Sequence, residues 1–296
     1  MGHKHFGQIM SLSLTAKKTL LPWFVAAVAL TANACSVLQP PSANGPRANG
    51  PAYPVLLIDE AARREESLLA WRQLAQRYGL PENTVADLEP LTATLHSLPS
   101  NMKVPIFLPK IGVGPNLTEE ETRESLRRFI GDWRVLIGAD PAQLSLVERT
   151  DEPTGIKVAR YRQRPFRYSL RGPYGNLVIR FDSNRRLLDL SSSCLPNTDR
   201  LQVALAAITP KLAAEDLLTH IKGRPISLPD GSGRLQNFAI LANDPASVRQ
   251  LVVYASSSKD QNPTLELRLA WEIDTPNGPF KTIYLDAIDG QVIAGA

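Results

Sequence analysis

Two cysteines, Cys35 and Cys194, are all that the 296 residues contain, so a disulfide framework is excluded. Histidine is nearly as scarce, with four in all, and His3 and His5 fall in the first few residues. The other two, His96 and His220, lie far apart in sequence. The His-Glu-x-x-His zinc signature, which needs two imidazoles one helical turn apart, is absent. Asp216 precedes His220 by four residues, a spacing that reads as a surface pair. There is no Gly-rich phosphate loop: Gly112-Val113-Gly114 lacks the further glycines and the Lys-Thr that would follow. There is no Gly-x-Ser-x-Gly elbow, and Asp230-Gly231-Ser232-Gly233 reads as a solvent loop. The acidic pairs Glu65-Glu66 and Asp151-Glu152 fall on a helix and in a turn, not across a cleft. No catalytic set, metal or cofactor is expected. A hydrolase would need a site converging from distant residues, with His96 or His220 beside carboxylates.

No hydrophobic run is long enough to span a bilayer, which takes roughly 20 apolar residues. Leu20 to Leu30 is short and interrupted by Pro22. With Lys17 and Lys18 before it and Thr31-Ala32-Asn33-Ala34-Cys35-Ser36 after it, the run has the layout of a secretory signal over residues 1–34, starting at Met1 or Met10. The cut can be read two ways. Ala32-Asn33-Ala34 suits ordinary cleavage and leaves Cys35 as the first residue. The same stretch resembles a bacterial lipobox, which would put a lipid on Cys35 and a membrane anchor on the chain. The expected location is the bacterial cell envelope as a lipoprotein, or secreted or periplasmic if Cys35 is only the first mature residue.

One-sided charge is missing too. The chain holds 33 basic and 29 acidic residues, and removing Lys4, Lys17 and Lys18 with the signal leaves 30 against 29. A nearly neutral mature protein gives no footing for a nucleic-acid partner. Cys194 reads as a small residue on or near a strand, with no His nearby in sequence to activate it.

Residues 35–53 are rich in Pro, Gly, Asn and Ala and repeat Ala-Asn-Gly-Pro, the composition of a flexible tether. Order is expected from about Val55. A segment over 54–117 carries one helix, capped by Asp59 and stopped by Gly79, with Leu68, Trp71, Ala75 and Tyr78 on one face. Val104 to Pro109 reads as an edge strand or an extended connector.

Thr118-Glu119-Glu120-Glu121 is a capping box. It opens a helix with Leu126, Phe129, Ile130, Trp133 and Ile137 on one stripe, Gly138 at its end, and Arg123, Arg127 and Arg128 on a solvated face. The period then changes. Residues 144–149, 156–162, 166–170, 177–182 and 187–191 read as strands in an antiparallel meander with one wet face. A second helix is expected from Thr209 and Pro210 to His220, with Leu217, Leu218 and Ile221 apolar. After an irregular stretch come strands at 251–255, 265–273 and 280–286, and an Asp289-Gly290 turn into Gln291-Val292-Ile293. Helix followed by strands occurs twice, so the fold class is α+β, with units at 118–200 and 201–296.

Arg160, Arg162, Arg164, Arg167 and Arg171, interleaved with Tyr161, Phe166 and Tyr168, form a basic run across two of these strands. A regular strand would put Arg160, Arg162 and Arg164 on one face. That is a partner-binding stripe for an acidic protein or lipid headgroups; a solvated sheet face is the plainer reading.

Leu269-Ala270-Trp271-Glu272-Ile273, followed by Ile283 through Asp286-Ala287-Ile288-Asp289-Gly290 to Ile293, resembles the closing strands of a PepSY domain. Residues 118–191 resemble the segment that accompanies PepSY in propeptides of thermolysin- and fungalysin-type metalloproteases. Leu146-Val147, Tyr161-Arg162-Gln163, Gly172-Pro173-Tyr174-Gly175 and Leu177 to Asp182 carry that likeness. The turn lacks the family's valine, and Arg185-Arg186 stands where glycine is common. The resemblance implies a folding aid and inhibitor, and with no protease after Ala296 it implies a free-standing module acting in trans. The expectation is a protein-binding module whose partner is an extracytoplasmic metalloprotease. The other reading is a structural envelope protein that binds cell-wall polymer or another envelope protein.

Overall fold

In the computed structural model, which describes residues 51–100, 102–112, 118–258 and 261–296, Thr118 opens the helix that organises the first half of the fold. The expected signal, Cys35 and the tether up to Gly50 lie outside the described residues. Three short strands and one helix come first: β1 (Val55–Leu57), α1 (Glu60–Tyr78), β2 (Asp87–Leu88) and β3 (Leu95–Ser97). Asp59 does precede α1, but its side chain makes no cap bond and instead meets Arg200 at 3.3 Å. The buried Arg63 guanidinium ties the start down, donating to Ile58 O and, at 2.9 Å, to Leu91 O. Trp71 is core, as its spacing implied, and its Nε1 donates to Thr84 O at 2.8 Å.

Thr118 Oγ1 accepts the Glu121 N–H at 3.2 Å, while Glu121 Oε2 accepts the Thr118 N–H at 2.8 Å. This reciprocal box satisfies donors that a helix start otherwise leaves bare. α2 then spans Glu119–Asp132 and, after a break at Trp133, α3 spans Arg134–Ile137. One expected helix is thus two, though Leu126, Phe129, Ile130, Trp133 and Ile137 are all buried. Gly138 ends the run at φ 77°, where a Cβ would stand 2.5 Å from Thr94 Cγ2 and 3.0 Å from Cys194 O. Both the left-handed backbone and the space call for glycine there.

The strands that follow are β4 (Leu144–Asp151), β5 (Lys157–Gln163), β6 (Ser169–Arg171), β7 (Asn176–Phe181) and β8 (Leu187–Ser192). They do not make the expected five-stranded meander. The first sheet is antiparallel in the order β4-β5-β7-β8, and β6 is absent from it. Ala159, Leu177, Ile179 and Phe181 alternate onto the face shared with α1 and α2 in one core. The Ile106–Leu108 stretch closes the β8 edge: Leu108 N–H donates to Arg185 O and Leu187 N–H to Ile106 O. Of the Arg185-Arg186 pair, Arg185 has φ 68°, the region that favours glycine.

β6 crosses to the second sheet and pairs in parallel with β11 (Ser247–Ser257), Leu170 opposite Val253. That sheet contains β11 (Ser247–Ser257), β12 (Leu265–Asp274), β13 (Thr282–Asp286) and β14 (Val292–Gly295) in the order β14-β13-β12-β11-β6. β1 adds to β12, Val55 opposite Leu267. Strands from three stretches of sequence therefore build one sheet. Its helical cover is α4 (Thr198–Ala206), which was not foreseen and which spans the 200/201 boundary, and α5 (Leu217–Ile221). The helix expected from Thr209-Pro210 does not start there. The N–H groups of Lys211 and Leu212 both donate to Ala287 O, which holds this stretch against the sheet, and helix begins only after the 3-10 turn Ala214–Asp216. The stretch read as irregular contains a hairpin, β9 (Pro225–Pro229) and β10 (Leu235–Ala239), turned at Asp230-Gly231-Ser232-Gly233. Ile226 and Leu228 of that hairpin pack with Leu217, Ile273 and Ile283.

Two substitutions check this order of importance. Thr118→Ala is expected to lower unfolding free energy by about 1 kcal/mol through loss of the cap. Phe129→Ala, at a position 1 % exposed in the first core, is expected to cost about 3–5 kcal/mol. Urea titration with an unchanged m-value reads both, and equal losses would show that α2 is not packed as described.

Candidate functional site

The five arginines of the expected stripe go to different places. β5 ends at Gln163, so Arg164 lies beyond the strand and does not extend the Arg160–Arg162 face. Arg160 pairs across to Glu148 at 3.1 Å. Arg162 turns inward, donating to Asn176 Oδ1 at 2.6 Å, Leu170 O at 3.0 Å and Gly172 O at 3.3 Å. Burial, and then the neighbouring Arg171 charge, lower its pKa. Arg171 meets Glu272 at 3.0 Å. Arg164 and Arg167 are exposed, and among the described residues neither pairs with a carboxylate; Arg167 stacks over Tyr168, 5.5 Å from the ring centroid.

Arg171 belongs to a polar layer on the face of the second sheet opposite α4 and α5. Glu272 is 5 % exposed there and also accepts from Gln250 Nε2 at 2.6 Å. Tyr284 and Tyr254 lie beside it with ring centroids 4.7 Å apart, covering Val252 and Ala270. Further along, Asp286 is fully buried. Its Oδ1 accepts the Ile288 N–H of the following turn, and its Oδ2 accepts from Tyr53 Oη at 2.8 Å and Arg268 Nη1 at 3.0 Å. Burial and the Asp286 carboxylate push the Tyr53 phenol up. These charges are matched among themselves, so the layer serves chiefly to hold strands together.

The histidines do not converge. His96 is exposed on β3. His220 Nε2 lies 3.2 Å from Arg224 Nη1, in a cleft whose lining includes Gly290 and Gln291 and no carboxylate. Cys194 is fully buried, and burial pushes its thiol up to about 12, which fits a packed side chain and not a nucleophile. Among the described residues no group of three or more His, Cys, Asp or Glu is placed to hold a metal, and no helix is long and apolar enough to cross a membrane.

A different feature is apolar and open. A cleft of about 490 Å3 runs between β1 and α4, lined by Pro51, Ala52 and residues 54–58 of one segment and by Leu201, Val203, Ala204 and Ala207 of the other. Val203 is 73 % exposed, Ile58 54 % and Leu56 43 %. Val55 and Leu57 point into the core with Leu201 and Leu205, whereas Leu56 lies on the other side of the strand. Consecutive residues of β1, facing alternately in and out, line the cleft, so it runs past the edge of the strand that β12 does not cover. Arg200 is its one charged lining residue. Sequence reasoning missed this place. The apolar run Val55–Ile58 and the Leu201, Leu205, Ile208 spacing were the signals available, but nothing local says that they meet.

The Glu272 layer yields a pH prediction. Burial pushes this carboxyl up, but the bonds from Arg171 and Gln250 outweigh it and hold Glu272 below the ordinary 4.5. A carboxyl whose folded pKa is depressed adds stability above its unfolded pKa and loses it as pH falls through the folded value. Stability should therefore decline below about pH 4.5, and Glu272→Gln should flatten that decline. At neutral pH the variant should lose about 2 kcal/mol, a value discounted for the partial exposure of Arg171. Urea midpoints from pH 3 to 7 read this, and an unchanged acid limb would refute it.

No family model and no curated protein sequence matches the chain. Among solved structures, it is similar to the Bacillus megaterium YpeB C-terminal domain at 10 % identity and a TM-score of 0.29, over 80 % of this chain and 96 % of that one. It is also similar to an uncharacterised protein from Eubacterium rectale at 11 % identity and a TM-score of 0.32, over 82 % of this chain and 85 % of that one.

Proposed function

We propose that this chain is an exported, lipid-anchored protein-binding module that restrains or assists an extracytoplasmic metalloprotease. The observation that carries the binding part is the open apolar cleft beside β1. Leu56, Ile58 and Val203 stand exposed together where a water-facing surface would be polar. The protease part rests on the likeness of residues 118–296 to a propeptide segment followed by PepSY. The membrane part rests on the signal layout and Cys35. Arg164 and Arg167, both exposed, the second over Tyr168, offer a secondary contact for an acidic partner surface.

The test adds the full exported chain to secreted metalloproteases of its host and follows both peptide hydrolysis and recovery of activity after refolding. Inhibition or improved recovery at near-equimolar ratio is the expected result. If neither quantity moves for any of them, and envelope extracts yield cell-wall polymer instead, the chain is a structural envelope protein. Mass spectrometry of the mature N-terminus checks the anchor: a diacylglyceryl mass on Cys35 is expected.

A further inference from the structure

The binding reading above leaves the chemistry of the partner open, and the β1 cleft narrows it. β1 pairs only with β12 among the described strands, antiparallel over Val55, Leu56 and Leu57. Its outer edge faces the cleft, and α4 forms the opposite wall. A strand edge facing a helix across an apolar trough matches the needs of an extended chain. Main-chain bonds go to the edge and alternate side chains go to the trough, both of which an extended segment supplies.

Charge sets which end of the ligand goes where. Along the trough the lining is apolar, and the single charge, Arg200, stands within the first turn of α4, where the helix dipole adds positive potential. Arg200 is engaged with Asp59 at 3.3 Å, but both groups are more than half exposed, so the pair is weak and exchangeable. A carboxylate reaching this end would take a charge-assisted bond from Arg200. Any charge further along would lie against Val203, Ala204 and Ala207 without a partner.

We infer that the β1–α4 cleft binds an extended apolar peptide segment by strand addition to β1, with a carboxylate of that segment at Arg200. This rests on the protein-binding reading and names the segment such a partner must present.

The experiment uses the full exported chain and a fluorescein-labelled hexapeptide, Thr-Val-Thr-Val-Thr-Val, with a free C-terminal carboxylate. Its C-terminal amide is the first control, and a version with proline at every second position, which lacks alternate N–H donors, is the second. Anisotropy is expected to show binding of the acid, about tenfold weaker binding of the amide and none of the proline peptide. Val203→Glu, at an exposed position that leaves the core intact, should weaken the acid peptide at least about tenfold with unchanged thermal unfolding. Arg200→Ala should abolish the difference between acid and amide. Amide exchange at Val55–Leu57 should slow when peptide is bound.

No binding of the acid peptide overturns the inference, and so does equal binding by the Val203→Glu variant. A dimer in light scattering that becomes monomeric on Val203→Glu also overturns it, because a second copy would then be the occupant. If the chain still inhibits or assists a protease while ignoring these peptides, the peptide inference fails and the protein-binding reading stands. If peptides bind as expected and no protease responds, the protease partner fails and the cleft stands.

Discussion

The fold depends on one excursion of the chain. Between Gln163 and Gly175 it leaves the first sheet, contributes β6 to the second, and returns. The exit and re-entry are fastened at the same place. Gln163 accepts the Leu195 N–H and donates to Leu195 O through its buried amide, and its own N–H donates to Gly175 O. In between, Phe166, Tyr168, Leu170 and Tyr174 all join the core of the second sheet. Gly172 lies so close to β11 that a Cβ would stand 2.2 Å from Ala255 O. The core of the second sheet thus holds residues supplied from between two strands of the first.

That constraint also explains the basic run. β6 pairs with the middle of β11, and charges carried in with it need partners. Arg162 spends its guanidinium on the carbonyls of the excursion, and Arg171 spends its own on Glu272 of β12. Such a half-buried pair is poor evidence of net stabilisation, since desolvation offsets much of the attraction, but it does tie β6 to β12. Two of the five arginines are therefore spent inside the fold, one on the excursion and one within the second sheet.

What the sequence revealed was local. The Thr118 box, the Leu126–Ile137 stripe, the strand at 177–182, and the long strands near 251 and 265 are set by neighbours a few residues away. They were legible for that reason. The destination of β6 was not, because a short Ser-Leu-Arg strand has the same look wherever it pairs. Thr209-Pro210 carries a strong helix-start signal, but bonds from the next two amides to Ala287 O override it. Prolines at 225 and 229 disguised β9, although both sit at the ends of a two-stranded hairpin where a missing donor is tolerated. The cleft was the least legible feature. Its walls lie some 140 residues apart, as Asp59 and Arg200 show, and each wall alone reads as an ordinary apolar run.

An exposed apolar strand edge is ordinarily a liability, since it templates aggregation, and natural sheets blunt such edges. β1 carries two of the usual remedies: it is only three residues long, and Pro51 and Pro54 just before it remove donors from any extension toward the N-terminus. Yet the remedies stop short of closing the edge. No lysine or glutamate faces the trough, and Leu56, Ile58 and Val203 stay in water. At the same time the wall is rigid, because β1 is bonded to β12 and Tyr53 is pinned to Asp286 in the interior of the sheet. A short, stiff, protected edge with an apolar floor is poorly suited to indiscriminate pairing, but well suited to hold one extended segment at little ordering cost.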